Sequence, residues 1–277
     1  MAVPADLTLP APGSFSRIVS LAPSLTETLF ALGLGNQVVG VTDFCSFPPE
    51  VKTKTRIGGF IDPNIELILG LRPDLVVMLP DHREMRTRLE GMGLRCLAVP
   101  QYTVHDILAS LIIVGTACGV RDHARDVRRA IAHDLHLVRQ RIKDRPPVRA
   151  VLSVGRDLTG GRLDQACLAG PKGYLSDLLA RAGGTNAVTE SVLTYPSVSR
   201  EGLAALAPEV VIDLIPDPDR QGKSLETIRR AWQEVPGLPA ARTGRIHILD
   251  TDFAAIPGPR VAEVVRTFAR LLHPEPE

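Results

Sequence analysis

Charge of one sign is not in excess in this chain: 32 Lys and Arg face 31 Asp and Glu, for a net charge of +1. A nucleic-acid binder usually carries a basic surplus, so that class is set aside. Long hydrophobic runs are also missing. The longest, such as Leu75–Leu79, fall far short of a bilayer span. Cysteine is sparse, with Cys45, Cys96, Cys118 and Cys167 forming no C-x-x-C pair. That argues against a structural zinc site and leaves any disulfide pairing undetermined. Cys96 lies in an apolar strand pattern and Cys118 ends an apolar helix pattern, so both read as inert core residues. The opening MAVPADLTLPAPGSF has neither a basic start nor an apolar core. It is not an intact signal peptide. The expectation is either a leader already removed or a cytoplasmic form, with 1–14 as a flexible lead-in.

What is present is a soluble globular balance, 44% hydrophobic and 23% charged, in a chain long enough for two ordinary domains. In the first half, apolar strand patterns alternate with helical ones. Strands are expected at Arg17–Leu21, Gln37–Val41, Asp74–Leu79 and Arg95–Val99. Ser24-Leu25-Thr26-Glu27 has capping-box spacing before one helix, and Asp62-Pro63-Asn64 opens another. Further helices are expected over 82–92 and 104–118. Such alternation predicts a parallel sheet covered by helices.

Residues 122–143 differ. Ala124, Val127, Ile131, Leu135, Val138 and Ile142 recur at helical spacing among charged residues. They predict one amphipathic helix roughly 33 Å long at about 1.5 Å per residue. Pro146-Pro147 ends it. Strands then follow at 148–154, 210–214 and 246–249, with helices near 175–182, 225–233 and 260–272. The fold class expected is α/β: two similar lobes with mostly parallel sheets, 15–120 and 146–277, joined by one rigid linker helix over 121–145. The alternative is one larger α/β domain with a long surface helix.

A short internal repeat favours two lobes. Glu66 precedes Leu71, Pro73, Asp74 and a buried strand; Glu201 precedes Leu206, Pro208, Glu209 and another. In each, a helix ends before proline and the chain turns directly into a strand.

At RIVSLAPSLTETLFALGLGNQVVGVTDFCSFPPEV, GGFIDPNIELILGLRPDLVV, YPSVSREGLAALAPEVVID and ARTGRIHILDTDFAAIPGPR the sequence resembles the cobalamin and iron-complex (siderophore, haem) binding proteins of ABC importers. The likeness covers nearly everything after Phe15, and CSFPP brings it nearest to the cobalamin branch. The resemblance implies a two-lobed fold with a single helical hinge and limited closure. It implies a monomer without enzymatic activity in a periplasmic or other extracytoplasmic compartment. It implies that Glu66 and Glu201 dock on arginines of the membrane permease dimer. The alternative for each Glu is a simple preference for a helix amino terminus.

Ligands of open α/β sheets bind outside the carboxyl ends of strands. The loops there offer Pro23, Ser24, Phe44, Cys45 and Phe60 in the first lobe, and Tyr195, Asp252 and Phe253 in the second. Leu79–His82, Gln101, Tyr102, Gly155 and Arg156 read as loop residues too. Phe44, Phe60 and Tyr195 match aromatic ligand positions of the cobalamin branch, whereas Leu79 stands where that branch has an aromatic. Aromatic faces suit the apolar surfaces of a corrinoid, and polar groups its amide rim. The alternative is that each aromatic packs its loop onto its own lobe. No resident cofactor or metal is expected; the ligand itself is cobalamin or another metal-containing macrocycle or chelate. Arg156, Tyr195 and His82 keep an iron–siderophore or haem ligand open. A two-lobed enzyme or metallocofactor-assembly protein is the alternative of another class. Its converging ionisable groups are not found: Gly33-Leu34-Gly35 lacks the dinucleotide fingerprint, Gly170-Pro171-Lys172-Gly173 lacks phosphate-loop spacing, and no G-x-S-x-G occurs.

Overall fold

Apolar triplets and quartets bounded by turns become short buried strands. The computed structural model describes residues 14–158, 161–215, 224–251 and 253–275. All but the last residue of the expected lead-in, and Asp252, lie outside them. The chain divides into two compact units, Met1–His133 with Ile256–Pro259, and Asp134–Ala255 with Arg260–Glu277.

In unit 1 the order is β1 (Ile18–Ser20), α1 (Pro23–Ala31), β2 (Val38–Val41), a 3-10 turn at Pro49–Thr53, β3 (Thr55–Arg56), α2 (Ile65–Gly70), β4 (Leu75–Met78), α3 (Arg83–Gly91), β5 (Cys96–Ala98) and α4 (Val104–Ala117). The strands pair in the order β3-β2-β1-β4-β5, every pair parallel. Successive strand residues point to opposite faces. Ile18, Leu75 and Val77 accordingly join a core with Leu25, Leu29, Leu111 and Val114. Val19, Val76 and Met78 join another with Ile68 and Leu89. Burial on both faces explains the unbroken apolar strands.

Two helix starts differ from expectation. α1 begins at Pro23 after Ala22, with no side-chain cap. Proline's fixed φ suits the first helical position, so Ser24 and Glu27 fall inside the helix instead of forming a capping box. The cap of α2 is Asn64, whose Oδ1 accepts from Leu67 N at 3.0 Å, and Pro63 lies outside the helix.

α5 (Arg121–Ile142) is one continuous helix, and the boundary between the units falls within it, after His133. Ala124, Val127 and Ile131 pack on the unit 1 core, while Val138 is buried in unit 2.

Unit 2 continues with β6 (Val148–Asp157), β7 (Gln165–Leu168), α6 (Tyr174–Arg181), β8 (Gly184–Asn186), β9 (Ser197–Ser199), α7 (Arg200–Leu206), β10 (Val210–Leu214), α8 (Leu225–Gln233), α9 (Pro239–Arg242), β11 (Ile246–Leu249) and α10 (Val261–Leu272). The sheet order is β11-β10-β6-β7-β9, with β8 also on β6. β11, β10, β6 and β8 run parallel, whereas β7 is antiparallel to both β6 and β9. Pairing with the antiparallel β7 extends β6 to Asp157, with a register shift between Ser153 and Gly155. Gly155 and Arg156, expected in a loop, are therefore strand residues.

The sequence repeat is a repeated bonding unit. In unit 1, Arg17 Nε and Nη2 donate to Leu71 O at the end of α2 (2.8 and 2.7 Å). Asp74 accepts from Ser16 N and Arg17 N. In unit 2, Arg149 Nε donates to Leu206 O at the end of α7 (2.9 Å), and Glu209 accepts from Arg149 N. The residues before the two prolines, Arg72 and Ala207, both turn left-handed, at φ 48° and 45°.

Candidate functional site

Because all strands of unit 1 are parallel, their carboxyl ends share one edge. The strand order reverses direction between β1 and β4, which is the usual ligand position of such sheets. Pro23 opens the helix after β1, and the side chain of Ser24 is buried beside it. The loop after β4 leads to His82. Its Nε2 donates to Phe60 O at 3.0 Å, and its ring meets Phe60 edge-on at 4.8 Å between centroids. This bond puts the proton on Nε2 and leaves Nδ1 as an acceptor, buried and without a partner. Burial pushes the imidazole pKa down, against the Phe60 carbonyl and Asp81. Phe60 itself is partly buried against the unit 1 core. Beside them Tyr102 donates to Asp81 at 2.8 Å, tying the loops after β4 and β5 together.

Phe44 stands out from the loop after β2, 56% exposed. Two devices hold that loop. Arg56 Nη1 donates to Thr42 O (2.9 Å) and Cys45 O (2.7 Å). Asp43 N donates to Gly58 O, joining the Phe44 loop to the one that carries Phe60. Cys45 is a core residue whose sulfur lies 3.2 Å from Thr26 Oγ1 and 3.3 Å from Thr42 Oγ1. Burial pushes its thiol pKa up.

In unit 2, Tyr195 is 48% exposed and follows the exposed Val192 and Leu193. Gly170 N donates to Thr194 O at 2.8 Å, and a Cβ on Gly170 would come within 2.4 Å of Leu193 O. The glycine is needed for the close approach of the Tyr195 loop. Phe253 lies under Arg260, whose guanidinium carbon is 4.9 Å from the ring centre. Asp252 lies outside the described residues. Arg156 is turned inward: Nη2 pairs with Asp213 Oδ1 at 2.8 Å and also donates to Leu214 O.

Pro23, Phe44, Phe60 and His82 thus gather on one edge of unit 1. Arg56, which clamps the Phe44 loop, gave no sequence signal, since one arginine after a Thr–Lys–Thr run carries no motif. Among the described residues no group of three His, Cys, Asp or Glu stands ready to hold a metal.

Glu66 and Glu201 are both exposed, each two residues after its helix cap, Asn64 and Ser199. The Glu201 carboxyl is held below the usual range by its own backbone N–H and then by the Ser199 hydroxyl.

Two α/β units with parallel-sheet cores, joined through one long helix, have the architecture of a solute-binding protein of the helical-hinge class. The chain belongs to the periplasmic binding protein family, whose model matches residues 18–253. It is 26% identical over 272 residues to the vitamin B12-binding protein of Vibrio cholerae, covering 95% of this chain and 90% of that one. It is 25% identical over 269 residues to an uncharacterized ABC transporter substrate-binding lipoprotein, YvrC, of Bacillus subtilis, covering 94% of this chain and 80% of the relative. Its fold matches the periplasmic haem-binding protein BhuT in complex with two haems, at TM-score 0.81 and 26% identity over 94% of this chain and 98% of that one. Members of the family are extracytoplasmic solute-binding transport proteins rather than enzymes, and no described helix is long and apolar enough to cross a membrane.

Proposed function

We propose that this chain is the solute-binding component of an ABC importer and that it captures cobalamin or a related corrinoid for delivery to a membrane permease. The observation that carries this reading is the pair of exposed aromatics, Phe44 on the loop after β2 and Tyr195 on the loop before β9, in a chain 26% identical to a vitamin B12-binding protein. In unit 1, Phe60 adds apolar surface beside the Phe44 loop, Pro23 and Ser24 bring the start of α1 to the same edge of that sheet, and Cys45 supports the Phe44 turn from within the core. In unit 2, Phe253 adds a second ring, after Tyr195, to the apolar surface of that unit's own loops.

The test is titration of the full chain with cyanocobalamin, dicyanocobinamide and haem, followed by calorimetry and by absorbance of the gel-filtered protein. One-to-one comigration of a corrinoid supports the reading. Comigration of haem alone would move the assignment to haem, which the unpartnered His82 Nδ1 favours as a second reading. Absence of both would reject the ligand class and leave the family assignment intact.

Glu66 and Glu201 are assigned to docking on permease arginines, one from each unit. Their position at exposed helix starts, in the same register of a repeated unit, supports this. The chain acts as a monomer in solution, and its compartment is extracytoplasmic.

A further inference from the structure

We propose that unit 2 carries a separate anion site, for a phosphate group, in the cavity lined by the last turns of α5 and α10. The cavity has a volume of about 190 Å³, and its charged lining is Arg141, Arg145, Arg266, Arg270, His273 and Glu275. A wider hollow shares Arg141, Arg270, His273 and Glu275 with it.

Two of the four arginines are neutralised: Arg141 pairs with Glu275, and Arg266 Nη2 lies 3.2 Å from Asp134 Oδ2. Arg145 and Arg270 have no ion pair among the described residues. Arginines near helix carboxyl ends partly offset the helix dipole, about half a negative charge per helix end. Two such ends do not balance two unpaired guanidiniums, so the cavity keeps a positive excess. His273 does not relieve it; its Nε2 donates to Gly183 O at 3.2 Å, and burial, then Arg145 and Arg245, hold its pKa down.

The walls add to this field. Val138 and Ala269 are each 5% exposed, so one side of the cavity is dry. Charges near a dry wall interact more strongly than in open water. Guanidinium forks from α10 and from the turn just after α5 match the oxygen geometry of a phosphate group, which accepts paired N–H bonds. A phosphate monoester, with about −1.5 to −2 charge at neutral pH, answers both free guanidiniums; a phosphodiester headgroup, with about one charge, offers both of them its two unesterified oxygens. The phosphate comes either from a soluble phosphate or from an anionic phospholipid headgroup.

The experiment uses the full chain and two probes: inorganic pyrophosphate, followed by calorimetry, and phosphatidylglycerol vesicles, followed by sedimentation against phosphatidylcholine. The double variant Arg145→Gln/Arg270→Gln is expected to weaken binding of the effective probe about 10-fold or more, as loss of two charge-assisted contacts implies. Arg125→Gln/Arg129→Gln, which removes the same charge from the other half of α5, is expected to leave it unchanged. Glu275→Gln is expected to tighten binding, because the carboxylate competes for Arg141. Pyrophosphate binding assigns a soluble ligand; vesicle binding without pyrophosphate binding assigns a headgroup. Failure of both probes would overturn the proposal. So would equal loss in the Arg125/Arg129 control, or weaker binding by the Glu275 variant.

Discussion

Arg156 and Asp213 form an ion pair from which solvent is excluded, with the arginine side chain 1% exposed and the aspartate fully covered. Trp232 Nε1 donates to the other carboxylate oxygen at 2.8 Å, and the Ser153 hydroxyl adds a further bond. An arginine that sequence offered to an anionic ligand is therefore committed to the interior of β6 and β10. Burial pushes the Asp213 pKa up, against the pull of Arg156, Trp232 and Ser153. Arg156→Met is expected to destabilise the protein by about 3–5 kcal/mol, the cost of leaving a buried charge unpaired. Joining it to Asp213→Leu should restore part of the loss. Because the variant's Asp213 pKa rises further, the folded state binds its proton more tightly than the unfolded state. Stability of the single variant should fall as pH rises from the unfolded carboxyl value through the raised one. Urea melts across that range measure it, and a flat profile would contradict this account.

His82, His247 and His273 are all pushed down in pKa, burial being the first cause for each. The unfolded chain then binds more protons than the folded one just below the ordinary value of about 6.5. Their contribution is complete above that value and is lost as pH falls through the depressed folded values. Chemical denaturation from pH 7.5 to 5 should show stability declining on the acid side, and His82→Gln should reduce the slope. An unchanged slope would remove His82 from this effect.

Tyr195→Ala and Phe44→Ala are expected to weaken corrinoid binding by roughly 0.5–1.5 kcal/mol each, the increment of an aromatic contact beyond its buried area. Calorimetry reads this directly. Unchanged affinity in both would remove the two rings from the ligand surface.

Gly170→Ala tests the support of Tyr195 without altering it. The new methyl meets the Leu193 carbonyl, so the loop must shift. Ligand affinity is expected to fall although no ligand-facing side chain has changed. Retained affinity would mean that the loop position is not critical.

Glu66→Ala and Glu201→Ala are expected to keep ligand affinity while weakening binding to the permease in nanodiscs, the double variant more than either single one. The effect should shrink at high salt, since rim charges act through screened fields. Arg at either position should be worse than Ala. Loss of ligand with normal docking would reverse the assignment.

The alternation of strand and helix was legible because β1, β2, β4 and β5 of unit 1 are largely buried and mostly apolar, whereas the polar two-residue β3 was not. α8 and β10 also have the ends the sequence predicts, although the apolar run of β10 is interrupted by Asp213. β7 and β9 were not legible. Gln165–Leu168 and Ser197–Ser199 are short and partly polar, and they become strands by pairing with each other and with β6. The candidate loops were legible from strand ends, but side-chain direction was not. Nothing local turns Arg156 inward; Asp213, far along the chain, does so. Likewise the carbonyls that Arg56 grips come together only when β2 and β3 pair.

The latch that joins Arg17, Leu71 and Asp74 recurs as Arg149, Leu206 and Glu209 although the letters around it have drifted. Arg72 answers to Ala207 and Asp74 to Glu209, yet two bonds keep their places: arginine Nε to the carbonyl at the helix end, and arginine N to the acid. What the two halves share is a circuit of hydrogen bonds more than a string of residues. Common ancestry within such a chain is better sought by aligning bonding partners than by aligning letters. On that measure Asp74→Glu is a spelling change, whereas Asp74→Leu erases the word.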